Sequence, residues 1–141
     1  MNEPNIKTLN EILKGEHMAI EGYETVLSTI EDHQLKTRLN GILEDHKRHA
    51  MEITNRIYKL GGDPKESTGM VGVMADMKLK LEGMVSRNHV MLHELYQGEK
   101  QGIEAVKKTI KGDLDTDSLR LVQEMIETDT RHLGELEAMM K

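Results

Sequence analysis

The sequence contains no cysteine, tryptophan or phenylalanine, and only two prolines. Without cysteine the chain cannot form disulfides, thiolate nucleophiles or zinc–thiolate sites. It also lacks an apolar stretch long enough to span a membrane and the apolar segment of a signal peptide, so we expect a cytoplasmic protein. The net charge of -6 argues against a nucleic-acid surface, and the short basic run of Lys107, Lys108 and Lys111 does not alter that.

The residues that are present are typical of one helical domain. Of the 141 residues, 37% are hydrophobic and 31% are charged, which is the balance of a folded soluble protein. We therefore expect a single domain over residues 1–141. Because large aromatic side chains are nearly absent, leucine, isoleucine and eleven methionines must fill the interior.

Four segments have apolar residues at the spacing of an amphipathic α-helix. These segments run over about 5–31, 33–60, 84–111 and 115–140. Short links join the first to the second and the third to the fourth, which predicts an all-α fold of two antiparallel helical hairpins. Roughly twenty residues separate the hairpins, well above the usual loop length. Such a connection is typical of a four-helix bundle with one long crossover.

Two interpretations of this crossover remain open. The stretch from Met70 to Met77 has the composition of a short helix. Alternatively, the third helix begins near Met70 rather than Met84 and is kinked at Gly83.

Ionisable residues interrupt each apolar stripe near the middle of its helix. These residues are Glu16 in the first segment, His46 and His49 in the second, Glu99 in the third, and Asp129 and His132 in the fourth. The two pairs are each spaced three residues apart, so both members of a pair project from one helix face. Because the middles of similar-length helices meet in a bundle, we predict that the six side chains converge.

Such a cluster needs a common partner, because burying an unpaired charge costs several kcal/mol. A pair of divalent cations is the simplest partner, and carboxylate oxygens with imidazole nitrogens suit iron, manganese or zinc. The alternative is a metal-free network in which three carboxylates neutralise three protonated histidines.

The same residues fall into four short motifs. In chain order they are Glu16-x-x-Ala19-x-x-x-Tyr23, His46-x-x-His49-Ala50, Gly98-Glu99 and Asp129-x-x-His132. Their order and spacing resemble the ferritin-like superfamily, and within it the rubrerythrin and bacterioferritin branch. The resemblance covers nearly the whole chain, apart from a longer crossover.

The resemblance implies a ferritin-like bundle whose di-iron centre oxidises Fe(II) with dioxygen or peroxide. Two positions depart from the family pattern: His46 replaces a carboxylate, and Gly102 stands where rubrerythrins carry a further glutamate. Two Fe(II) ions with three carboxylates keep one positive charge, which would weaken the second metal site or favour a bound hydroxide. A mononuclear or zinc-loaded site is therefore an alternative to two iron ions.

Two other functions are compatible with this sequence. One is a rubrerythrin-like peroxidase that takes electrons from an external donor, since no rubredoxin-type cysteine module is present. The other is a non-catalytic bundle that binds a protein partner. We also expect a homo-oligomer, either a dimer or a larger assembly.

Several residues near the predicted centre have two interpretations each. Tyr23 and Tyr96 are either hydrogen-bond donors to a ligand carboxylate or ordinary core residues. We expect four nearby acidic residues to lie on solvated faces, and the alternative for each is a contact with a ligand imidazole. These residues are Glu44, Asp45, Glu127 and Glu135. We expect His17 at the rim, and His89 with His93 as a surface pair off the main stripe.

Overall fold

The protein forms four α-helices in a computed structural model that describes residues 3–65, 87–110 and 112–141. The helices are α1 (Glu3–Thr29), α2 (His33–Lys59), α3 (Arg87–Thr109) and α4 (Thr116–Met140). All four predicted helices are confirmed and, apart from the start of the third, their ends lie close to the predicted positions. The predicted short helix from Met70 to Met77 and the predicted starts of the third helix near Met70 or Met84 lie outside the described residues.

The helices form a four-membered bundle in which α1 and α4 each pack against both α2 and α3. Contacts at the helix ends set their directions. Thr29 Oγ1, at the end of α1, donates to Met91 Sδ near the start of α3 at 3.1 Å. Arg56 Nε, near the end of α2, donates to Ser118 Oγ near the start of α4 at 2.9 Å. Neighbouring helices are therefore antiparallel. The end of α2 and the start of α3 lie at opposite ends of the bundle, so one long crossover must connect them.

Capping interactions fix where α2 and α4 begin. The Asp32 carboxylate accepts a hydrogen bond from the Leu35 amide at 3.1 Å, and Asp115 accepts one from the Ser118 amide at 2.7 Å. Each satisfies an amide that has no partner inside its own helix. Asp115 also accepts hydrogen bonds from Arg56 Nη2 at 2.9 Å and Asn5 Nδ2 at 2.8 Å. The N-cap residue of α4 thus also ties the start of this helix to α1 and α2.

Two consecutive glycines end α2. Gly61 has a φ of 84°, and the Gly61 and Gly62 amides donate back to Tyr58 and Ile57 at 3.0 and 2.9 Å. This pattern is a Schellman motif, which needs a left-handed residue after the helix. At Gly62 a Cβ would lie 2.7 Å from Ile6 Cγ2, so any side chain there would force the Ile6 side chain to move.

The apolar core consists of two clusters separated along the bundle axis. One contains Tyr23, Val26, Ile30, Leu39, Ile42, Leu43, Met91, Leu92, Leu95 and Leu136. The other contains Leu9, Ile12, Leu13, Ala50, Ile53, Ile57, Val122 and Met125. The level between them holds the ionisable residues that interrupt the four stripes. None of the described helices combines the length and apolarity that a bilayer-spanning helix requires.

Replacing Gly61 by alanine should destabilise the fold by roughly 1–2 kcal/mol, because a Cβ disfavours the left-handed conformation. Urea unfolding followed by circular dichroism measures the effect. The matched control is Gly41→Ala, at an exposed helical glycine in α2 whose Cβ position is open. There alanine should raise stability by roughly 0.5–1 kcal/mol. Equal stability of Gly61→Ala and wild type would contradict the motif's role.

Candidate metal centre

The structure brings the six predicted residues together between the two apolar clusters. They come from all four helices: Glu16 from α1, His46 and His49 from α2, Glu99 from α3, and Asp129 and His132 from α4. All six are buried, with exposed fractions between 1% for His132 and 8% for Asp129. The six side chains therefore converge at one level of the bundle, between the two apolar clusters.

His46 occupies the middle of the cluster and joins two carboxylates on different helices. Its Nδ1 lies 2.7 Å from Glu16 Oε2, and its Nε2 lies 2.5 Å from Glu99 Oε1. The ring also stacks on Tyr23, with centroids 5.5 Å apart. Both ring nitrogens thus face carboxylates, one toward α1 and the other toward α3.

The other two imidazoles direct Nδ1 atoms toward carboxylates without forming hydrogen bonds. His49 Nδ1 lies 3.6 Å from Glu16 Oε1 and 3.7 Å from Asp129 Oδ1. His132 Nδ1 lies 3.4 Å from both Glu99 Oε1 and Asp129 Oδ1. Both nitrogens and Asp129 Oδ1 are buried and have no hydrogen-bond partner.

Such buried polar atoms are rare in folded proteins, because each carries a desolvation penalty of ~1–3 kcal/mol. A cation between them would satisfy all three, so these atoms fit a metal. The cluster contains two groups whose ligand atoms lie within 4.8 Å of one another. One group is Glu16, His46, His49 and Asp129, and the other is His46, Glu99, Asp129 and His132. Two groups that share two members suit a pair of ions better than a single ion.

Tyr23 belongs to the apolar core and also reaches the cluster. Its Oη donates a hydrogen bond to Glu99 Oε1 at 2.8 Å, and the residue is buried. Tyr96 does not contact the cluster, since its Oη donates to Glu137 Oε1 at 2.9 Å on the outside of the bundle. The two tyrosines therefore differ in their hydrogen-bond partners, and only Tyr23 contacts the cluster.

Asp45 combines both of the roles left open for it. It is only half-buried, yet its Oδ2 lies 2.8 Å from His132 Nε2, and its Oδ1 accepts from Arg48 Nη1 at 3.2 Å. When His132 is neutral, this carboxylate holds the ring proton on Nε2 and leaves the Nδ1 lone pair facing the centre. The other three acidic residues predicted on solvated faces are exposed: Glu44, Glu127 and Glu135.

The remaining histidines lie away from the centre. His17 is half-buried, and its Nε2 lies 3.1 Å from the Lys65 carbonyl oxygen. His89 and His93 are both exposed, and neither belongs to the clusters of potential metal ligands in the described ranges.

Opposite effects of burial and hydrogen bonding set the protonation of the metal-free cluster. Burial lowers the pKa of His46, but hydrogen bonds to Glu16 and Glu99 outweigh burial and raise it to about 11. For His132, burial is likewise outweighed by Asp129, Glu99 and Asp45, and the pKa rises to about 10. Burial raises the pKa of Glu99, but its histidine partners bring it down to about 2. Without metal, imidazolium groups therefore neutralise the carboxylates.

Three further groups respond differently to the same surroundings. Burial opposes ionisation of Glu16, yet His46 and His49 lower its pKa. The pKa of Asp129 is raised, mainly by burial, with nearby Glu16 adding to the effect. Burial and the Glu99 carboxylate raise the pKa of Tyr23 well above its usual value, so its hydroxyl stays a donor. Asp129 is thus the carboxylate least satisfied by the protein itself.

Comparisons with known proteins agree with this geometry. Residues 5–112 match a family described as a domain of unknown function, DUF2383. The structure is similar, with a TM-score of 0.72, to that of a ferritin-like, diiron-carboxylate protein from Bacillus anthracis strain Ames. The two sequences are 25% identical, and the alignment covers 99% of this chain and 97% of that chain. No curated protein matches the sequence. The predicted ferritin-like four-helix bundle is therefore confirmed.

The protonation pattern predicts how the stability of the metal-free protein depends on pH. A histidine whose pKa is raised on folding stabilises the fold fully below its unfolded value of 6.5, and this contribution disappears as pH passes the folded value. The free energy of unfolding should therefore fall steadily from pH 6.5 towards pH 10–11, where His132 and His46 lose their protons.

Urea unfolding in the presence of a chelator, at a series of pH values, measures this slope. The alkaline side is the cleaner test, because at acid pH the lowered pKa of Glu99 and the raised pKa of Asp129 act in opposite directions. The exposed His89→Gln variant should keep the wild-type slope. Constant or rising stability between pH 7 and pH 9.5 would contradict the assigned protonation.

Proposed function

This chain belongs to the DUF2383 family and has a ferritin-like fold, and we propose that it binds two iron ions and oxidises Fe(II) with dioxygen or peroxide. The observation that carries the proposal is the pair of overlapping ligand groups at one level of the bundle, made of three carboxylates and three imidazoles. Such donors suit iron, manganese and zinc. The diiron-carboxylate character of the Bacillus anthracis protein favours iron among the three.

In this proposal each half of the cluster holds one ion. Glu16 and His49 would bind the first ion, and Glu99 and His132 the second. His46 and Asp129 lie in both groups and would serve either ion. Metal binding would require His46 and His132 to give up protons, so metal affinity should rise with pH.

The protein's own side chains orient these ligands. Tyr23 donates to Glu99 Oε1 and restricts the rotation of that carboxylate. Asp45 fixes the tautomer of His132, and Arg48 holds Asp45 in turn. The apolar clusters above and below the donors lower the local dielectric constant, which strengthens the donors' electrostatic interactions.

Iron would supply the electrons that reduce dioxygen or peroxide. The high pKa of Tyr23 favours its role as a hydrogen-bond donor over that of a proton-releasing acid. A single domain over residues 1–141, a cytoplasmic location and homo-oligomerisation stay predictions.

Aerobic oxidation of Fe(II) tests the proposed activity directly. Wild-type protein should form Fe(III) faster than protein-free buffer, and Glu99→Ala should slow the reaction at least about tenfold, because it removes a ligand and the acceptor of Tyr23. The matched control is Glu104→Ala, at an exposed glutamate on the same helix, which should retain the wild-type rate.

Stopped-flow absorbance of Fe(III) gives the rates, and circular dichroism shows that each variant is folded. Glu99→Gln, which keeps the shape of the side chain, separates a loss of charge from a loss of packing. An unaccelerated reaction with wild-type protein, or a wild-type rate with Glu99→Ala, would contradict the proposed activity.

Replacement of Asp45 by alanine should weaken metal binding without removing a ligand. The change removes the carboxylate that holds the ring proton of His132 on Nε2, so the tautomer is no longer fixed. Loss of such a contact to a ligand reduces metal affinity about 10–100-fold. Calorimetric titration with Zn(II), which avoids redox chemistry, measures the affinity. Glu44→Ala, at the exposed neighbouring residue, serves as the control. Unchanged affinity in Asp45→Ala would show that this contact does not support the centre.

A further inference from the structure

The two ring nitrogens of His46 face opposite halves of the cluster. Nδ1 lies 2.7 Å from Glu16 Oε2, in the first group of potential ligands, and Nε2 lies 2.5 Å from Glu99 Oε1, in the second. His49 and His132 differ from His46 because each belongs to one group and directs its Nδ1 toward the carboxylates of that group. His46 therefore reaches both halves of the cluster at once, through different atoms.

Side chains of the protein hold the His46 ring in this position. The ring is buried and stacks on Tyr23, with centroids 5.5 Å apart. Tyr23 also donates its hydroxyl to Glu99 Oε1, so one residue positions both the ring and one of its carboxylate partners. The lone pairs of the two imidazole nitrogens lie in the ring plane and point away from each other. A ring held in this way can direct one nitrogen to each of two ions without turning.

The charge of the cluster gives a second reason for a special role of His46. Two divalent ions carry four positive charges, and the carboxylates of Glu16, Glu99 and Asp129 supply three negative charges. A neutral His46 would leave one positive charge in the buried level, where an uncompensated charge is unfavourable. An imidazole that has lost both ring protons is an imidazolate with one negative charge. His46 in that form would bring the sum to zero without a further anion.

We propose that His46 binds both metal ions at once as a bridging imidazolate. Its Nδ1 would bind the ion beside Glu16 and His49, and its Nε2 the ion beside Glu99 and His132. Each ion replaces one ring proton of the metal-free imidazolium, so two N–H bonds break, two metal–nitrogen bonds form and two protons leave to solvent. This inference rests on the proposed two-metal centre and assigns the ligand that joins its two ions.

The bridge determines how far apart the two ions lie. Zinc lies about 2.0–2.1 Å from a ligating imidazole nitrogen, so ions on opposite sides of one ring are roughly 6 Å apart. Two-metal sites commonly hold their ions only about 3.5–4 Å apart. The shorter separation would result if Asp129 Oδ1, which lies 3.7 Å from His49 Nδ1 and 3.4 Å from His132 Nδ1, joined the ions. The separation thus distinguishes a bridge through His46 from a bridge through Asp129.

Anomalous X-ray diffraction from crystals grown with Zn(II) measures this separation in the wild-type protein. We expect two zinc peaks inside the bundle roughly 6 Å apart, each about 2.0–2.1 Å from a different nitrogen of His46. Two peaks about 3.5–4 Å apart, with one His46 nitrogen not bound to zinc, would overturn the bridge and leave the two-metal centre in place. One zinc ion or none inside the bundle would overturn the two-metal centre and the bridge with it.

His46→Gln tests the same assignment in solution. A glutamine amide still pairs with carboxylates, but it offers metal ions only its carbonyl oxygen, because its NH₂ group is a donor. Since His46 serves both ions, the variant should bind each of two zinc ions at least about tenfold more weakly, the loss that even an outer contact of a ligand causes. Calorimetric titration with Zn(II) measures both steps, and circular dichroism shows that the variant is folded.

The matched control is His49→Gln, which replaces a buried histidine one turn away on α2 that belongs to one ligand group. This variant should weaken one zinc ion and retain the other near the wild-type affinity. If His46→Gln also retained one zinc ion at the wild-type affinity, His46 would serve a single ion and the bridge would be overturned. The separation of the zinc ions in the wild-type crystal decides the question independently of how the variants fold.

Discussion

The burial of three carboxylates and three imidazoles at one level of a helical bundle is the constraint on which the rest of the structure depends. Isolated, such groups would each cost several kcal/mol, and they persist only because they face one another. His46 is the clearest case, since it spans Glu16 and Glu99 and so connects three helices. Protons neutralise this cluster in the metal-free protein, and metal ions would do so in the loaded one.

Precise helix register follows from that constraint. The polar residues meet only if the four helices are aligned along the bundle, and the contacts at the bundle ends maintain this alignment. Asp115 ties the start of α4 to both Asn5 and Arg56, while the closely packed Gly62 holds the end of α2 against Ile6. The two apolar clusters stabilise the bundle by hydrophobic burial on either side of the polar level. The polar level itself contributes no hydrophobic stabilisation.

How much could be predicted from sequence follows from the range of each interaction. Helix positions and all six cluster residues depend only on spacing within one helix, so periodicity located them. The contact of Asp45 with His132 joins residues 87 positions apart, and it depends on how α2 and α4 are rotated. A cavity lined by Gly102 likewise lies between α1 and α3. Nothing in the sequence around a glycine shows that it borders a cavity formed by two helices.

The central claim is that two metal ions occupy this polar level, and anomalous X-ray diffraction from crystals grown with Mn(II) or Fe(II) tests it most directly. We expect two anomalous peaks inside the bundle, one beside Glu16 and His49 and the other beside Glu99 and His132. Peaks confined to the protein surface, with His46 still bound to both carboxylates, would contradict it.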